Sequence, residues 1–314
     1  MGGKGRTKRL SADKAGIVAA VRTLREGGLV ALPTETVYGL AARADDAKAV
    51  AGIFAAKGRP SFNPLIVHVP SLEAAEKLAE FDESARSLAG SFWPGPLTLV
   101  LPKRAGAPLA EAVSAGLPTI AIRVPRHAAM RAVLERCGFP LAAPSANRSG
   151  FISPTSADHV LRSLGGRIDM VLDAGPTERG VESTIIAVRA DGTLDELRPG
   201  PVDVAALAPK SRGATSPSEN PIEAPGQLAS HYAPGKPVRL DALQPEPDEF
   251  FIGYGQTGGD TTLSAAGDSD EAAARLYACL HQAAASDKPR IAVAPVPDEG
   301  VGRAVNDRLR RAAA

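Results

Sequence analysis

Cysteine and aromatic residues are scarce in this chain. Its 314 residues include Cys137 and Cys279, one tryptophan, and 4% aromatic residues in all. Two cysteines so far apart make neither a zinc-type spacing nor a disulfide framework, which points to a reduced, cytoplasmic protein. So few rings leave little with which to build base-stacking platforms for single-stranded nucleic acid. The net charge is +1, so no overall field calls for nucleic acid or an anionic membrane. No apolar run approaches the length of a membrane span. Residues 1–11 carry Lys4, Arg6, Lys8 and Arg9 without an apolar segment. They read as a solvated basic tail, not a signal peptide. There is no Walker A sequence, because Val181 follows Gly180 where lysine is needed. No Ser-His-Asp set, metal-ligand cluster or framed pair of carboxylates stands out.

What is present is an ordinary globular composition, 44% hydrophobic and 23% charged, long enough for two domains. The most informative stretch runs from Lys57 to His68. Lys57 and Arg59 lie one residue apart, stiffened by Gly58 and Pro60. Asn63-Pro64 turns the chain, and Leu65-Ile66-Val67 reads as a buried strand ending at His68. Rigid backbone with fixed positive charge suits a polyphosphate, with Arg as a planar fork and Lys as a point charge. A basic last helical turn before a glycine stop would explain Lys57 and Gly58, but not Arg59, Asn63 and His68.

Taken in order, apolar spacing predicts a helix over 15–26 and a buried strand over 29–33 that delivers the polar turn 34–40. Helices are expected at 47–56, 72–79 and 83–89. The turn Trp93-Pro94-Gly95-Pro96 leads into a strand over 97–101. Thr119 to Pro125 alternates, with Thr119, Ala121 and Arg123 on one face, so Arg123 is either an outer charge or an anion ligand. A helix follows at 127–136. Small residues from Pro140 to Pro144 bring backbone close to something, and Ser145, Asn147 and Ser149 follow. Ser153-Pro154-Thr155 with Asp158 reads as a helix start whose amides could hold an anion. Strands are expected at 168–173, 183–188 and 194–198. Residues 210–237 form a linker rich in Pro, Ser, Gly and Asn, although the run from Gln227 to Tyr232 is more specific than a spacer needs. Residues 238–314 read as a small α/β unit. Its Gly253-to-Gly258 match to G-x-G-x-x-G has no helix opening on it and reads as a loop.

The cations Lys57, Arg59, Arg123 and Arg198 with small hydroxyls and amides make a site for positioning anions, sufficient for phosphoryl or nucleotidyl transfer. Several of these segments together resemble the threonylcarbamoyl-AMP synthase family. They are Pro33 to Leu40, Lys57-x-Arg59 with Asn63-Pro64-Leu65, Pro144-Ser145-Ala146-Asn147 with Ser149-Gly150, Glu182-Ser183-Thr184, and Arg198-Pro199-Gly200. The likeness spans about residues 12–205. The Ser230-His231-Tyr232 motif and the C-terminal unit resemble the family's longer form. The resemblance implies an α/β fold of YrdC type, an open twisted mixed sheet with helices over 12–209. It also implies a small Rossmann-like α/β domain over 238–314. The implied reaction joins L-threonine, bicarbonate and ATP into L-threonylcarbamoyl-adenylate, releasing pyrophosphate. A tRNA threonylcarbamoyl transferase complex uses the product. By position, Arg59, Asn63, Thr119, Ser145, Ser153, Arg198 and Tyr232 are expected to contact ATP. Thr36, His68, Arg123, Ser183 and the backbone at Ala143 are expected to hold threonine. Lys57 and Asn147 belong to the same motifs and are expected at the phosphates, with Lys57 and Arg59 as the catalytic cations. Mg²⁺ is expected to be carried by ATP phosphates and water, with no protein metal site. Two other readings stay open: an RNA-binding module without chemistry, and a carbamoyl-transfer domain using the same nucleotide pocket.

Overall fold

The computed structural model describes residues 5–203, 222–228 and 230–314, and the backbone of 211–212. Most of the expected linker therefore lies outside the described residues. A large mixed sheet is built from β1 (Lys8–Ser11), β2 (Val30–Leu32), β3 (Gly39–Arg43), β4 (Ile66–His68), β5 (Leu97–Pro102), β6 (Thr119–Arg123), β7 (Leu141–Ala142), β8 (Met170–Asp173), β9 (Thr184–Val188), β10 (Leu194–Arg198) and β11 (Ser211–Arg212). Their order is β1-β8-β2-β3-β7-β4-β6-β5-β9-β10-β11. A smaller parallel sheet takes β12 (Val238–Arg239), β13 (Glu249–Gly253), β14 (Thr261–Thr262) and β15 (Arg290–Val293), in the order β12-β15-β13-β14.

Both faces of the large sheet are covered, and period-two alternation sorts its side chains between them. Val30, Leu32, Ala41, Leu141 and Met170 pack on one side with α1 (Lys14–Arg25) and α6 (Ala128–Cys137). Ala31, Leu40, Ala42, Ala142 and Val171 point to the other, against α2 (Ala47–Lys57), α4 (Glu83–Phe92) and α7 (Ala157–Leu164). The short helices α3 (Leu72–Glu76) and α5 (Glu111–Ser114) complete this layer, and α8 (Ser269–Ala285) and α9 (Gly302–Ala313) cover the small sheet. Burial on both faces explains why strands such as β4 and β9 are buried along their whole length.

The structure differs from the sequence reading at three places. Residues 8–11 are not a free tail: β1 pairs in parallel with β8, Lys8 opposite Met170. Basic side chains suit an edge strand, which is why the segment reads as solvated. The Thr155 cap is one residue early. Ser156 caps α7 by accepting from His159 N, and Thr155 N donates to His159 Nδ1, so these two amides are already paired. Finally, the buried cluster of the C-terminal unit includes Val37, Ile152 and Val181 of the large unit. The two units share a core, so residues 12–209 do not form a self-contained surface. The glycine-rich run in the C-terminal unit is as read: no helix opens on Gly253 to Gly258, and α8 starts only at Ser269.

Candidate functional site: a buried cationic cavity

Register brings the first pair together. In the parallel ladder of β4 and β6, His68 lies opposite Arg123. Pairing of β4 with the antiparallel β7 sets the following backbone at Ala143 beside them, with Ala143 N donating to Ile66 O at 2.9 Å. That donor is spent, so Ala143 has only its carbonyl to offer. Arg123 is held from three sides. Nε donates to Gly95 O at 3.0 Å, Nη1 to Thr36 Oγ1 at 3.1 Å, and Nη2 to the Glu35 carboxylate at 2.6 Å. Glu35 in turn accepts from the amides of Arg126 and His127 just ahead of α6. The burial of β6 on both faces therefore decides between the two sequence readings of Arg123: it is an interior cation, 3% exposed.

Burial alone pushes the Glu35 carboxyl up, but Arg123's charge and hydrogen bond outweigh it and hold the group below the usual range. Burial, then the charge of Arg123, drives the His68 pKa down to about 3. His68 is thus a neutral imidazole at physiological pH. Its Nδ1 lies 3.3 Å from Ile66 O. A carbonyl oxygen can only accept, so this contact puts the proton on Nδ1 and leaves Nε2 as an acceptor.

The second group of cations comes from the end of α2 and from β10. Arg59 donates through Nε to Asn63 O at 3.1 Å, and through Nη2 to Asn63 Oδ1 at 2.6 Å and Pro64 O at 2.7 Å. Asn63 thereby sets the Arg59 fork. Arg198 donates through Nε and Nη2 to Ser183 O, through Nη2 to Ser183 Oγ at 3.1 Å, and through Nη1 to Pro225 O at 3.3 Å. Burial brings the Arg59 pKa down to about 10, and Arg198 also falls, chiefly by burial. Arg59 remains charged at neutral pH.

These side chains converge on one cavity. Of the residues expected from sequence, Thr36, Arg59, His68, Arg123 and Ala143 line it, as do Ser145, Ser183, Arg198 and Tyr232. Five do not. Lys57, expected at the phosphates, points its Nζ into the loop behind the wall, toward Ser145 O at 2.5 Å, Asn147 O at 2.6 Å and Asn147 Oδ1 at 3.4 Å. Three acceptors match the three protons of an ammonium, although burial and then Arg59 push this amine well below its ordinary pKa. The reason for the split is geometric: α2 closes at Gly58 in a left-handed turn, which sends neighbours on either side of it in different directions. Asn63 and Asn147 brace Arg59 and Lys57 from outside the cavity. Ser153 gives its hydroxyl proton to Glu182 at 2.5 Å. Thr119 starts β6 opposite Pro102, away from the cavity.

Sequence reasoning missed the roles of Glu35 and Glu182. Glu182 lies in the cavity wall and is fully ringed by donors: Ser153 Oγ, Tyr277 Oη and Arg308 Nε. Burial opposes its charge, but Arg308 and then Arg198 bring its pKa down to about 2. The signal for Arg308 was an arginine on the apolar stripe of α9, between Val305 and Leu309.

The linker closes the cavity. Pro225, Gly226, His231 and Tyr232 form part of its wall. Tyr232 is 1% exposed, with its ring 5.5 Å from that of Tyr277, so it both packs between the units and faces the site. Gly226 has φ +90°, and a Cβ there would fall 2.8 Å from Arg198 Cδ, so glycine is needed for this close approach. The cavity is narrow, with a volume of about 40 Å³, against roughly 300–1,000 Å³ for ordinary small-molecule sites.

Comparison with known proteins covers both units of the chain. The Sua5_yciO_yrdC family model, described as "Telomere recombination", matches residues 22–200. The Sua5_C model, "Threonylcarbamoyl-AMP synthase, C-terminal domain", matches residues 193–314. The threonylcarbamoyl-AMP synthase of Bacillus subtilis is 41% identical, over 98% of this chain and 95% of that one. That of Pyrococcus abyssi is 39% identical, over 92% of this chain and 91% of that one. The solved structure of P. abyssi Sua5 complexed with L-threonine superposes with a TM-score of 0.87 at 37% identity, covering 98% of this chain and 96% of that one. Two matched domains in one chain, and relatives alike over nearly their whole length, lead to one conclusion: the chain belongs to the threonylcarbamoyl-AMP synthase family.

Proposed function

We propose that this chain joins L-threonine, bicarbonate and ATP into L-threonylcarbamoyl-adenylate and pyrophosphate. A transferase complex then uses the product to modify the adenosine beside the anticodon of certain tRNAs. The observation that carries this reading is the charge of the cavity. Arg59, Arg123 and Arg198 line it, and Glu182 is the one carboxylate among its described lining residues. Buried positive charge in excess is costly unless an anion answers it. ATP phosphates and an amino-acid carboxylate are such anions. The C-terminal family match and the charge balance favour this over an RNA-binding module or a carbamoyl-transfer domain.

In this reading Arg123 takes the threonine carboxylate, because Glu35 and Gly95 already fix its plane. His68 Nε2 and Thr36 read the hydroxyl, and the Ala143 carbonyl faces the amine. The amine condenses with bicarbonate to a carbamate, losing water. A carbamate oxygen then attacks the α-phosphorus and pyrophosphate leaves. Arg59 and Arg198 offset the charge that builds on the phosphates, so the chain's work is positioning and electrostatics. Among the described residues no group of His, Cys, Asp or Glu is placed to hold a metal ion, and Glu182 and Glu35 are taken up by their own donors. The donor set does not fit a resident ion, and Mg²⁺ is proposed to enter as part of the MgATP substrate. No helix among the described residues is long and apolar enough to cross a membrane. Both cysteines are free and buried. We place the protein in the cytoplasm, where these substrates meet.

Product analysis is the direct test: incubation with ATP, threonine and bicarbonate is expected to yield pyrophosphate and the adenylate. The same assay reads the amino-acid pocket. Serine keeps the hydroxyl and loses a methyl, so its kcat/KM is expected to fall about tenfold to a hundredfold. Valine leaves the polar partners unpaired and is expected to fall further. Equal use of valine and threonine would refute the pocket as drawn.

The linker is proposed to be a lid. Residues 225–235 are proposed to withdraw to admit the substrates and to return to exclude water. In the intact protein, ATP and threonine together are expected to slow proteolysis between residues 225 and 235. Cleavage equally fast with and without substrates would show that Tyr232 only packs.

A further inference from the structure

The C-terminal unit touches the site directly. Tyr277 on α8 donates to both Glu182 oxygens, at 3.0 and 2.8 Å, and Arg308 on α9 donates to Oε2 at 2.9 Å. His281 Nε2 lies 3.2 Å from Ser153 O. Gly180, at φ +69°, stands so close that a Cβ there would fall 2.3 Å from Ala273 O. The backbone leading to Glu182 therefore rests on α8, and only glycine fits at that contact. Arg308 is wholly buried. Its guanidinium also lies 5.5 Å from the ring centroid of Tyr232 in the linker.

Glu182 is an odd group to find in the wall of an anion site. Left to itself it would repel phosphate and would compete for Arg198, whose Nη2 and Nε hold the adjacent Ser183 carbonyl. Both oxygens of Glu182 are instead occupied by donors from the other unit and from Ser153. Because Ser153 donates its proton to Glu182, it can present only lone pairs to a ligand.

We propose that Arg308 and Tyr277 of the C-terminal unit are positioning residues for the nucleotide half of the site. They hold Glu182 away from the phosphates and balance its charge, which leaves the charge of Arg198 and its remaining Nη1 proton for ATP. This rests on the adenylate-forming reading for the identity of the anion, and the test separates the two by measuring binding apart from turnover.

The test uses the full-length chain, with ATP and threonine dissociation constants from titration calorimetry and thermal midpoints alongside. Arg308→Met is expected to weaken ATP binding at least about tenfold, because one partner of a buried charge pair is removed. Threonine binding should stay within about twofold, since Arg123 is anchored by Glu35 and not by Glu182. Arg308→Lys should recover part of the loss. Adding Glu182→Gln to Arg308→Met should restore ATP affinity, since the carboxylate in the cavity wall is neutral and Asp307, the other carboxylate on Arg308, keeps Arg311. Tyr277→Phe should give a smaller loss confined to ATP. The proposal is overturned if ATP and threonine affinities fall together in step with the thermal midpoint. It is equally overturned if the double variant binds ATP no better than Arg308→Met. Should Arg308→Met not fold, native-like ATP binding by Tyr277→Phe, or weak ATP binding by a folded double variant, overturns it. A native chain that binds ATP but releases no pyrophosphate would sink the proposed reaction and leave this inference to be judged on the dissociation constants.

Discussion

Arg59→Ala loses roughly a hundredfold to a thousandfold in the rate of pyrophosphate release, about 3–4 kcal/mol of transition-state stabilisation, while the protein stays folded. Arg59 lines the cavity and its fork is aimed by Asn63 and Pro64, so its charge meets the phosphates in a fixed geometry. The loss also strands Asn63 O, Asn63 Oδ1 and Pro64 O, but burial and Arg198 already work against this charge, which offsets part of that cost. Lys57→Ala behaves differently. Its ammonium satisfies the carbonyl oxygens of Ser145 and Asn147 and the side chain of Asn147. Removing it strands those buried acceptors, at a cost of roughly 1–3 kcal/mol each. Lys57→Ala should therefore lower the rate only in step with the thermal midpoint, and Arg59→Ala should lower the rate far more than its midpoint accounts for. Steady-state kinetics and calorimetry on both variants decide it. A near-normal rate in Arg59→Ala, or an unchanged midpoint in Lys57→Ala, would remove the distinction.

Acid is expected to unfold the protein well above the carboxylate range. Burial is the first cause in all five histidines, each of whose pKa is pushed down: His127, and most strongly four others, His68, His231 and His281 to about 3, and His159 to about 4. A group with a lowered folded pKa binds its proton more readily when unfolded. Its stabilising contribution is full above the unfolded value, near 6.5, and is lost as pH falls toward the folded value. The four act in the same direction. Between pH 7.5 and 5.5 each loses on the order of 1 kcal/mol, so together they remove a large share of the stability of a typical domain. Below pH 5 the lowered pKa values of Glu182 and Glu35 add to the same slope. Denaturant unfolding at pH 7.5, 6.5 and 5.5 measures this. A free energy of unfolding flat across that range would mean that these imidazoles are not buried in the neutral form. The stacked rings of His159 and His281, 3.8 Å apart between α7 and α8, make the seam between the units the first place to open. The expected early product is a chain whose C-terminal unit has parted from the rest.

Much of the fold was legible because its elements obey local rules. The helices α1, α2, α4 and α6 begin or end within a few residues of where apolar spacing and glycine stops put them. The strand β10 runs from Leu194 to Arg198, as read. Short strands without alternation were harder. No local pattern separates a two-residue strand such as β7 (Leu141–Ala142) from a loop; only pairing with β3 and β4 makes it a strand. The strand β1 was hidden for the opposite reason, since Lys8 and Arg9 look solvated until Asp173 and Asp158 are found beside Arg9.

For the site, residue types and spacing by themselves determined the chemistry. Arginines beside glycine, proline and small hydroxyls, repeated in several segments, specify anion binding wherever the segments meet, because guanidinium charge does not depend on context. Tertiary structure decided which of those cations face the anion. Lys57 and Arg59 are one residue apart in sequence, yet the left-handed turn at Gly58 puts one into the loop behind the wall and the other into the cavity. Protonation was also a tertiary decision. His68 is neutral because both faces of β4 are covered and Arg123 lies opposite it, neither of which is a property of its neighbours in the chain. The same holds for Arg308, 126 residues away from the glutamate it balances. Burial and long-range pairing set charge states and directions, and those depend on elements that sequence distance keeps apart.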